Sequence, residues 1–263
     1  MAERGASGRK GGRSSTPDEK SVDEQRFLAR YDAKAFERPS VTVDVVLITV
    51  EEGGLATLLV RRNEHPFKGR WALPGGFVRM TEGLEAAAAR VLADKCGVRG
   101  VWLEQLFTFG EPRRDPRTRV ISVAYAALVD RARLSVKGKP GELEAARLVV
   151  PWEGQTGGPV EARDGSGKEL PLAFDHALIA GMAVKRLRGK LDYAPIGFQL
   201  LPEQFTLFEL QRVHEAVLAR DLNKDSFRRR MLASGLLEAT GEQETDVGHR
   251  PAELYRFRNR SAV

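Results

Sequence analysis

The chain has 263 residues, 42% apolar and 30% charged, with 42 Lys and Arg against 36 Asp and Glu for a net charge of +6. That length takes one large or two modest domains of about 100–200 residues, and the balance excludes a wholly disordered or fibrous chain. Apolar runs such as Val45-Val46-Leu47-Ile48 are far short of the roughly 18 residues that cross a bilayer. No apolar stretch follows Met1-Ala2-Glu3-Arg4-Gly5, so no secretory signal is expected. The lone Cys96 excludes an intrachain disulfide and a multi-cysteine zinc site. The expectation is a soluble, cytoplasmic protein with no membrane contact. Its mild positive charge suits either a polyanionic partner or a plain solvated surface.

Residues 1–16 hold almost nothing to bury, and Arg4, Arg9, Lys10 and Arg13 stand against Glu3 alone. They read as a disordered basic tail, and 21–36 reads as a short helix before Pro39. From Ser40 the texture changes: Val41, Val43, Val45 and Leu47 alternate with Thr42, Asp44 and Val46, which predicts a strand. Glu52-Gly53-Gly54 is a turn into a second strand over 55–60, making a hairpin. Leu84, Ala88, Leu92 and Cys96 recur at helical spacing until Gly97 stops the run. A strand is expected over 120–129, loop-rich stretches over 145–151 and 159–174, and a helix from Asp175 through Ile179, Met182, Ala183 and Leu187 to Gly189. The mixture predicts one α/β (α+β) domain over 39–192, behind a tail of residues 1–38.

A linker is expected at 190–200. Thr206 with Glu209 is a capping box opening a helix through Leu210 and Val217. Arg220-Asp221-Leu222 breaks it, and Asn223 caps a second helix with Phe227, Met231 and Gly235 on the inward stripe. Two further strands flank a polar loop, ending at Leu254-Tyr255-Arg256-Phe257. Helix, tight turn, helix and two-stranded wing predict a winged helix-turn-helix over 193–260.

The stretch Trp71-Ala72-Leu73-Pro74-Gly75-Gly76, then Glu82, Arg90, Leu92, Asp94, Gly97 and Val98, resembles the Nudix box. The resemblance implies a Nudix-like mixed-sheet sandwich over roughly 40–190. In active relatives the positions one, four and five after the Arg carry carboxylates on one helical face, which hold magnesium against phosphate oxygens. Here those positions are Val91, Asp94 and Lys95. A hydrocarbon and an ammonium offer no lone pair, so Gly76, Glu82, Arg90 and Asp94 are read as a degenerate box with no catalytic residue, metal site or cofactor. A working enzyme would need ligands from elsewhere, such as Glu85 or Glu111.

A fold shaped around a diphosphate can still bind one. Two Arg-rich stretches, 61–70 and 113–117, carry guanidinium forks suited to phosphate oxygens, and Phe67 and Phe77 are candidates to stack on a base. The chain from about 40 to 260 is similar to the Nudix-related transcriptional regulators of NAD metabolism. Pro66-Phe67-Lys68-Gly69, Arg114-Asp115-Pro116-Arg117, Phe174-Asp175-His176 and Arg250-Pro251-Ala252-Glu253-Leu254-Tyr255-Arg256-Phe257 carry the likeness. It implies an ADP-ribose-type effector or a related NAD-derived nucleotide, and a homodimer. Arg62, Phe67, Arg70, Phe77, Arg114, Asp115, Arg117 and His176 are the effector candidates. Packing at the start of the helix is the alternative role for His176.

In the second helix, Asn223, Lys224, Ser226, Arg228, Arg229 and Arg230 are the residues to meet double-stranded DNA, with Arg250 beside the wing tip. Residues 199–263 balance ten Lys and Arg against ten Asp and Glu, so the basic character is local to 224–230. The expectation is a ligand-responsive bacterial repressor on a palindromic operator, nucleoid-associated when bound. The alternatives are a magnesium-dependent ADP-ribose or nucleoside-diphosphate pyrophosphatase whose C-terminal module dimerises, and an RNA- or protein-binding adaptor.

Overall fold

The computed structural model describes residues 17–134, 141–191, 199–245, 248 and 250–258. The expected tail 1–16 and most of the expected linker at 190–200 lie outside them. The chain divides into two compact units, Met1–Arg38 and Pro39–Val263.

In the first unit, α1 (Pro17–Arg30) begins earlier than the expected helix and ends six residues sooner. The reason is Asp32. It takes an extended conformation and accepts the Lys34 N–H at 2.8 Å, capping a separate 3₁₀ turn over Ala33–Ala35.

The second unit is built on β1 (Ser40–Glu51). It pairs antiparallel with β2 (Gly54–Arg61) through the expected hairpin, with Glu51 opposite Gly54. Two short strands follow, β3 (Trp71–Ala72) against β2 and β4 (Gly75–Phe77) against β1. Next come α2 (Leu84–Cys96), β5 (Trp102–Phe109), β6 (Val120–Leu128), β7 (Leu143–Val149), β8 (Glu161–Arg163) and α3 (His176–Lys190). The main sheet runs β5-β6-β1-β2-β7-β8, and β6 lies parallel to β1.

Alternation along β1 sends Val43, Val45 and Leu47 to one apolar cluster with Ala88, Val91 and Leu92 of α2. Val46 and Ile48 join Ile179, Ala183 and Val184 of α3 in the other. A helix on each face is why β1 is buried almost continuously from Val43 to Thr49 instead of on one side only. Gly97 ends α2 in the left-handed region at φ 67, and its N–H and that of Val98 return to the Ala93 and Leu92 carbonyls. Leu84, expected on the buried stripe, is exposed.

Two expectations fail in this unit. β5 has no counterpart among the expected elements, and the stretch 145–151, expected to be loop-rich, contributes most of β7. The stretch 159–174 is loop-rich as expected, with the short β8 inside it. These strands carry charged residues among the apolar ones, such as Glu144 and Arg147, because β7 and β8 lie toward one margin of the sheet. Their order comes from pairing, Leu58 with Ala145 and Leu148 with Ala162.

The C-terminal part holds β9 (Phe205–Thr206), α4 (Leu207–Leu218), α5 (Lys224–Ala233), β10 (Leu237–Gln243) and β11 (Glu253–Phe257). Thr206 and Glu209 form the expected capping box, and Asn223 accepts the Ser226 N–H at 3.0 Å. The expected two strands of the wing, β10 and β11, pair antiparallel, and β9 adds a third strand to their sheet in the order β10-β11-β9. Of the inward stripe expected on α5, Phe227 is buried and Met231 half-buried, whereas Gly235 is exposed beyond the helix end. Phe205, Leu210, Val217, Phe227 and Phe257 belong to the same apolar cluster as α3 and one face of β1, so the winged helix continues the core of the sheet domain.

Candidate functional site

A cavity of about 460 Å³ opens among β4, segments 61–64 and 114–117, and the first residue of α3. Arg62, Phe77, Arg114, Asp115, Arg117 and His176 line it, as do Thr42, Asp44, Lys95 and Phe174. Phe67 and Arg70 do not. The Phe67 ring packs edge-on against Phe174 at 4.9 Å, and the Arg70 guanidinium lies over Phe67 at 5.6 Å. They support the wall from behind. Phe174 faces the cavity together with Phe77, and the Arg62 guanidinium lies 4.8 Å from the Phe174 ring centre.

The polar centre of the site is Asp44, a buried carboxylate in the middle of β1. It accepts the Ser122 hydroxyl and lies 3.5 Å from Arg114 Nη2 and 3.6 Å from His176 Nε2. The Leu73 N–H donates to His176 Nδ1 at 2.9 Å. The neutral ring therefore carries its proton on Nε2, the nitrogen that faces Asp44. Burial lowers the His176 pKa, and the Asp44 charge opposes that only in part. Gly75 sits opposite Asp44 across the β1–β4 pair, where an added Cβ would fall 2.0 Å from Asp44 Oδ1. Only glycine lets β4 approach this carboxylate.

Two of the expected phosphate-binding arginines are already engaged. Arg114 holds Asp175 through Nε at 2.9 Å and Nη2 at 2.6 Å. Burial works against the Arg114 charge, but these bonds and the charges of Asp175, Asp44 and Asp115 together outweigh it, so its pKa rises. Asp175 consequently spends its carboxylate on Arg114 and makes no side-chain cap to α3. Arg117 grips buried Asp115 in the same two-point manner, at 3.0 and 2.7 Å, and its guanidinium lies 5.8 Å from the Phe77 ring centre. The Arg117 hydrogen bond is the main reason the Asp115 carboxyl stays below the usual range.

The box helix α2 lies beside this cavity. Glu82 takes Arg90 Nε at 2.8 Å, Arg90 Nη2 at 2.5 Å and the Arg79 N–H at 2.9 Å. These bonds, led by those from Arg90, hold the Glu82 pKa at about 2. Val91 is buried in the apolar cluster, its Cγ2 3.2 Å from where a Cβ on Gly76 would stand. Asp94 is exposed, 4.0 Å from Arg90. The Lys95 ammonium reaches back to the Gly75 carbonyl. Glu85 and Glu111 are exposed, and among the described residues no three His, Cys, Asp or Glu side chains converge as a metal site. This set, a hydrocarbon, an ammonium, a glutamate engaged by Arg90 and the single exposed carboxylate of Asp94, does not fit a magnesium ion that needs several oxygen ligands.

On the winged helix, Asn223, Lys224, Ser226, Arg228, Arg229 and Arg230 are all exposed on α5. The Arg230 guanidinium folds back 5.7 Å from the Phe227 ring centre, leaving Arg228 and Arg229 as the α5 arginines that make no such ring contact. Arg250 is exposed ahead of β11, and part of the wing tip beside it lies outside the described residues.

α3 joins the two regions. Its first residue, His176, is in the cavity wall, and Arg188 near its other end is 4% exposed. Arg188 Nε donates to the Val217 carbonyl in the last turn of α4 at 2.8 Å. Its Nη1 donates to the Trp152 and Gly154 carbonyls at 3.2 and 3.1 Å. No spacing in the sequence announces this bond, since it depends on how α4 lies against α3.

Known proteins share both halves of this arrangement. The Nudix domain family matches residues 38–164, and the NrtR DNA-binding winged helix domain matches residues 197–257. The ADPR responsive transcriptional repressor NtrR of Acinetobacter baylyi is 38% identical over 236 residues, 89% of this chain and 88% of the relative. This chain belongs to the NrtR family. A crystal structure of Shewanella oneidensis NrtR complexed with a 27mer DNA is 35% identical, with a TM-score of 0.65, and the match covers 82% of this chain and 93% of that one. The NrtR-type sheet domain also has relatives with another activity. An ADP-ribose pyrophosphatase of Methanocaldococcus jannaschii is 35% identical over 161 residues, 61% of this chain and 80% of the relative. No helix among the described residues is long and apolar enough to cross a membrane.

Proposed function

We propose that this chain is a DNA-binding transcriptional repressor of NAD-metabolism genes that senses ADP-ribose or a related NAD-derived nucleotide. Residues 39–192 form the sensor, 193–260 the DNA-binding domain and 1–38 a basic tail. The protein acts in the bacterial cytoplasm as a homodimer on a palindromic operator, nucleoid-associated when bound. Its two recognition helices enter successive major grooves about 34–36 Å apart.

The observation that carries this reading is α3, anchored in the cavity by His176 and in the winged helix by Arg188. The effector candidates are Arg62, Phe77, Arg114, Asp115, Arg117 and His176, with Phe67 and Arg70 behind them. A nucleotide that draws Arg114 from Asp175, or displaces His176, alters the seat of α3. α4 is bound to the far end of that helix. The ligand shifts operator affinity only by as much as it binds one arrangement better than the other, and the expected direction is release from DNA.

Asn223, Lys224, Ser226, Arg228, Arg229, Arg230 and Arg250 are the DNA-contacting set. The buried Val91 and the cationic Lys95 support a sensor without hydrolase activity. Likeness to a pyrophosphatase favours the rival reading, and one pair of assays separates them. ADP-ribose titrated into the protein–operator complex should weaken binding, and ADP-ribose incubated with protein and Mg²⁺ should yield no AMP. An operator affinity indifferent to ADP-ribose, together with AMP formation, would replace the repressor with an enzyme.

A further inference from the structure

The charges around the cavity are unevenly matched. Arg114 and Arg117 each hold a carboxylate by two bonds. Arg62 and Lys95 line the same cavity, and among the described residues neither forms an ion pair with a carboxylate. Arg62 donates to the Pro66 and Glu64 carbonyls, and Lys95 to the Gly75 carbonyl. A carbonyl satisfies a donor but neutralises no charge. Burial lowers the pKa of both groups; at Arg62 the Arg117 charge adds to this while Asp115, Glu64 and Asp44 oppose it, and at Lys95 Asp44 opposes it while Arg62 adds a smaller push the other way. Two cations from different elements, one just past β2 and one in the last turn of α2, thus face one space with only carbonyls as bonded partners.

Such an arrangement is relieved by an anion with a negative charge for each. We propose that Lys95 and Arg62 form a clamp that grips the diphosphate of the nucleotide directly, so that effector binding requires no divalent cation. Lys95 does with a tethered ammonium what a free cation would otherwise do, and a metal ion would have to share the space with it against charge repulsion. Arg62 adds the planar fork suited to phosphate oxygens. The inference rests on the nucleotide-sensing reading above and adds to it a residue, Lys95, that the sequence marked only as a loss.

The test is calorimetric titration of the full chain with ADP-ribose and, separately, with inorganic pyrophosphate, in EDTA and in Mg²⁺. Wild type should bind equally well in both buffers. Lys95→Gln and Arg62→Gln should each weaken binding by about tenfold or more, the size of one charge-assisted hydrogen bond. Lys95→Arg should retain affinity. Without ligand, the thermal midpoint of Lys95→Gln should stay close to that of wild type, because Lys95 forms no ion pair and the amide keeps a donor for the Gly75 carbonyl; a merely structural lysine would lower the midpoint along with the affinity. Binding only in Mg²⁺, or unchanged affinity in Lys95→Gln, overturns the clamp. If wild type ignores ADP-ribose but takes pyrophosphate without metal in a Lys95-dependent way, the clamp stands and the nucleotide assignment falls. If it takes neither, both fall.

Discussion

Replacing Arg188 with methionine tests the joint between sensor and winged helix. Methionine keeps an apolar stem of similar bulk and removes every donor. The Val217, Trp152 and Gly154 carbonyls lose a charged partner, and the contact with the Trp152 ring at 4.9 Å is lost as well. At about 1.5–3 kcal/mol for each hydrogen bond to a charged group, the gross loss is about 5–9 kcal/mol. Against it stands the relief of a buried guanidinium whose pKa burial lowers. Keeping such an ion out of water costs several kcal/mol, which its removal returns. A net loss of about 2–4 kcal/mol is therefore expected, or a fall of about 4–16 °C in Tm for a chain of this size. The assay is thermal or urea unfolding of the full chain, followed by operator binding with and without ADP-ribose. Binding of ADP-ribose itself should survive while its effect on operator affinity shrinks. A Tm matching wild type, with the ADP-ribose response intact, would refute the role given to α3.

Further outcomes follow from the same geometry. Gly75→Ala puts a Cβ 2.0 Å from Asp44 Oδ1 and 3.0 Å from the Val43 carbonyl. It should cost about 1–3 kcal/mol in unfolding free energy and weaken the effector, and an unaltered unfolding curve would contradict the close approach. Because burial lowers the His176 pKa, the folded chain takes up that proton less readily than the unfolded one. Stability should therefore fall as pH drops below the ordinary histidine value of about 6.5. His176→Gln should flatten that slope, and a slope that persists would belong to another group. Glu82 contributes in the same sense at lower pH, with its pKa held down at about 2 against an ordinary 4.5. Its stabilisation is whole above the ordinary carboxylate range and fades as pH falls toward 2. Glu82→Gln should remove that acid-side loss, as a pH series of unfolding midpoints would register. In gel shifts on duplex DNA, Arg228→Ala or Arg229→Ala should cost about 1–3 kcal/mol and relax specificity at one base pair if it reads a base, whereas uniform weakening would mark a phosphate contact.

Helix ends and helical periods were readable from the chain alone. The Thr206–Glu209 box, the Asn223 cap, the Gly97 stop and the β1–β2 turn each depend on residues a few positions apart, and each stands where those residues put it. The Nudix-type spacing likewise led to Val91 and Lys95, because one turn of helix sets which side chains share a face. Assembly decided the rest. β5, β7 and β8 exist through pairing with strands elsewhere in the chain, so their own composition is a poor guide. Arg114 looked free for a phosphate but meets Asp175, 61 residues away. Of the two expected stacking rings Phe77 lines the cavity, but Phe67 stands behind Phe174, which took the other place in the wall. The buried Asp44 read as the polar member of an alternating strand and became the charge around which the site is arranged. Local order answers to propensity and capping, whereas a site answers to which distant groups the sheet register brings within a few ångströms, and no spacing along the chain encodes that distance.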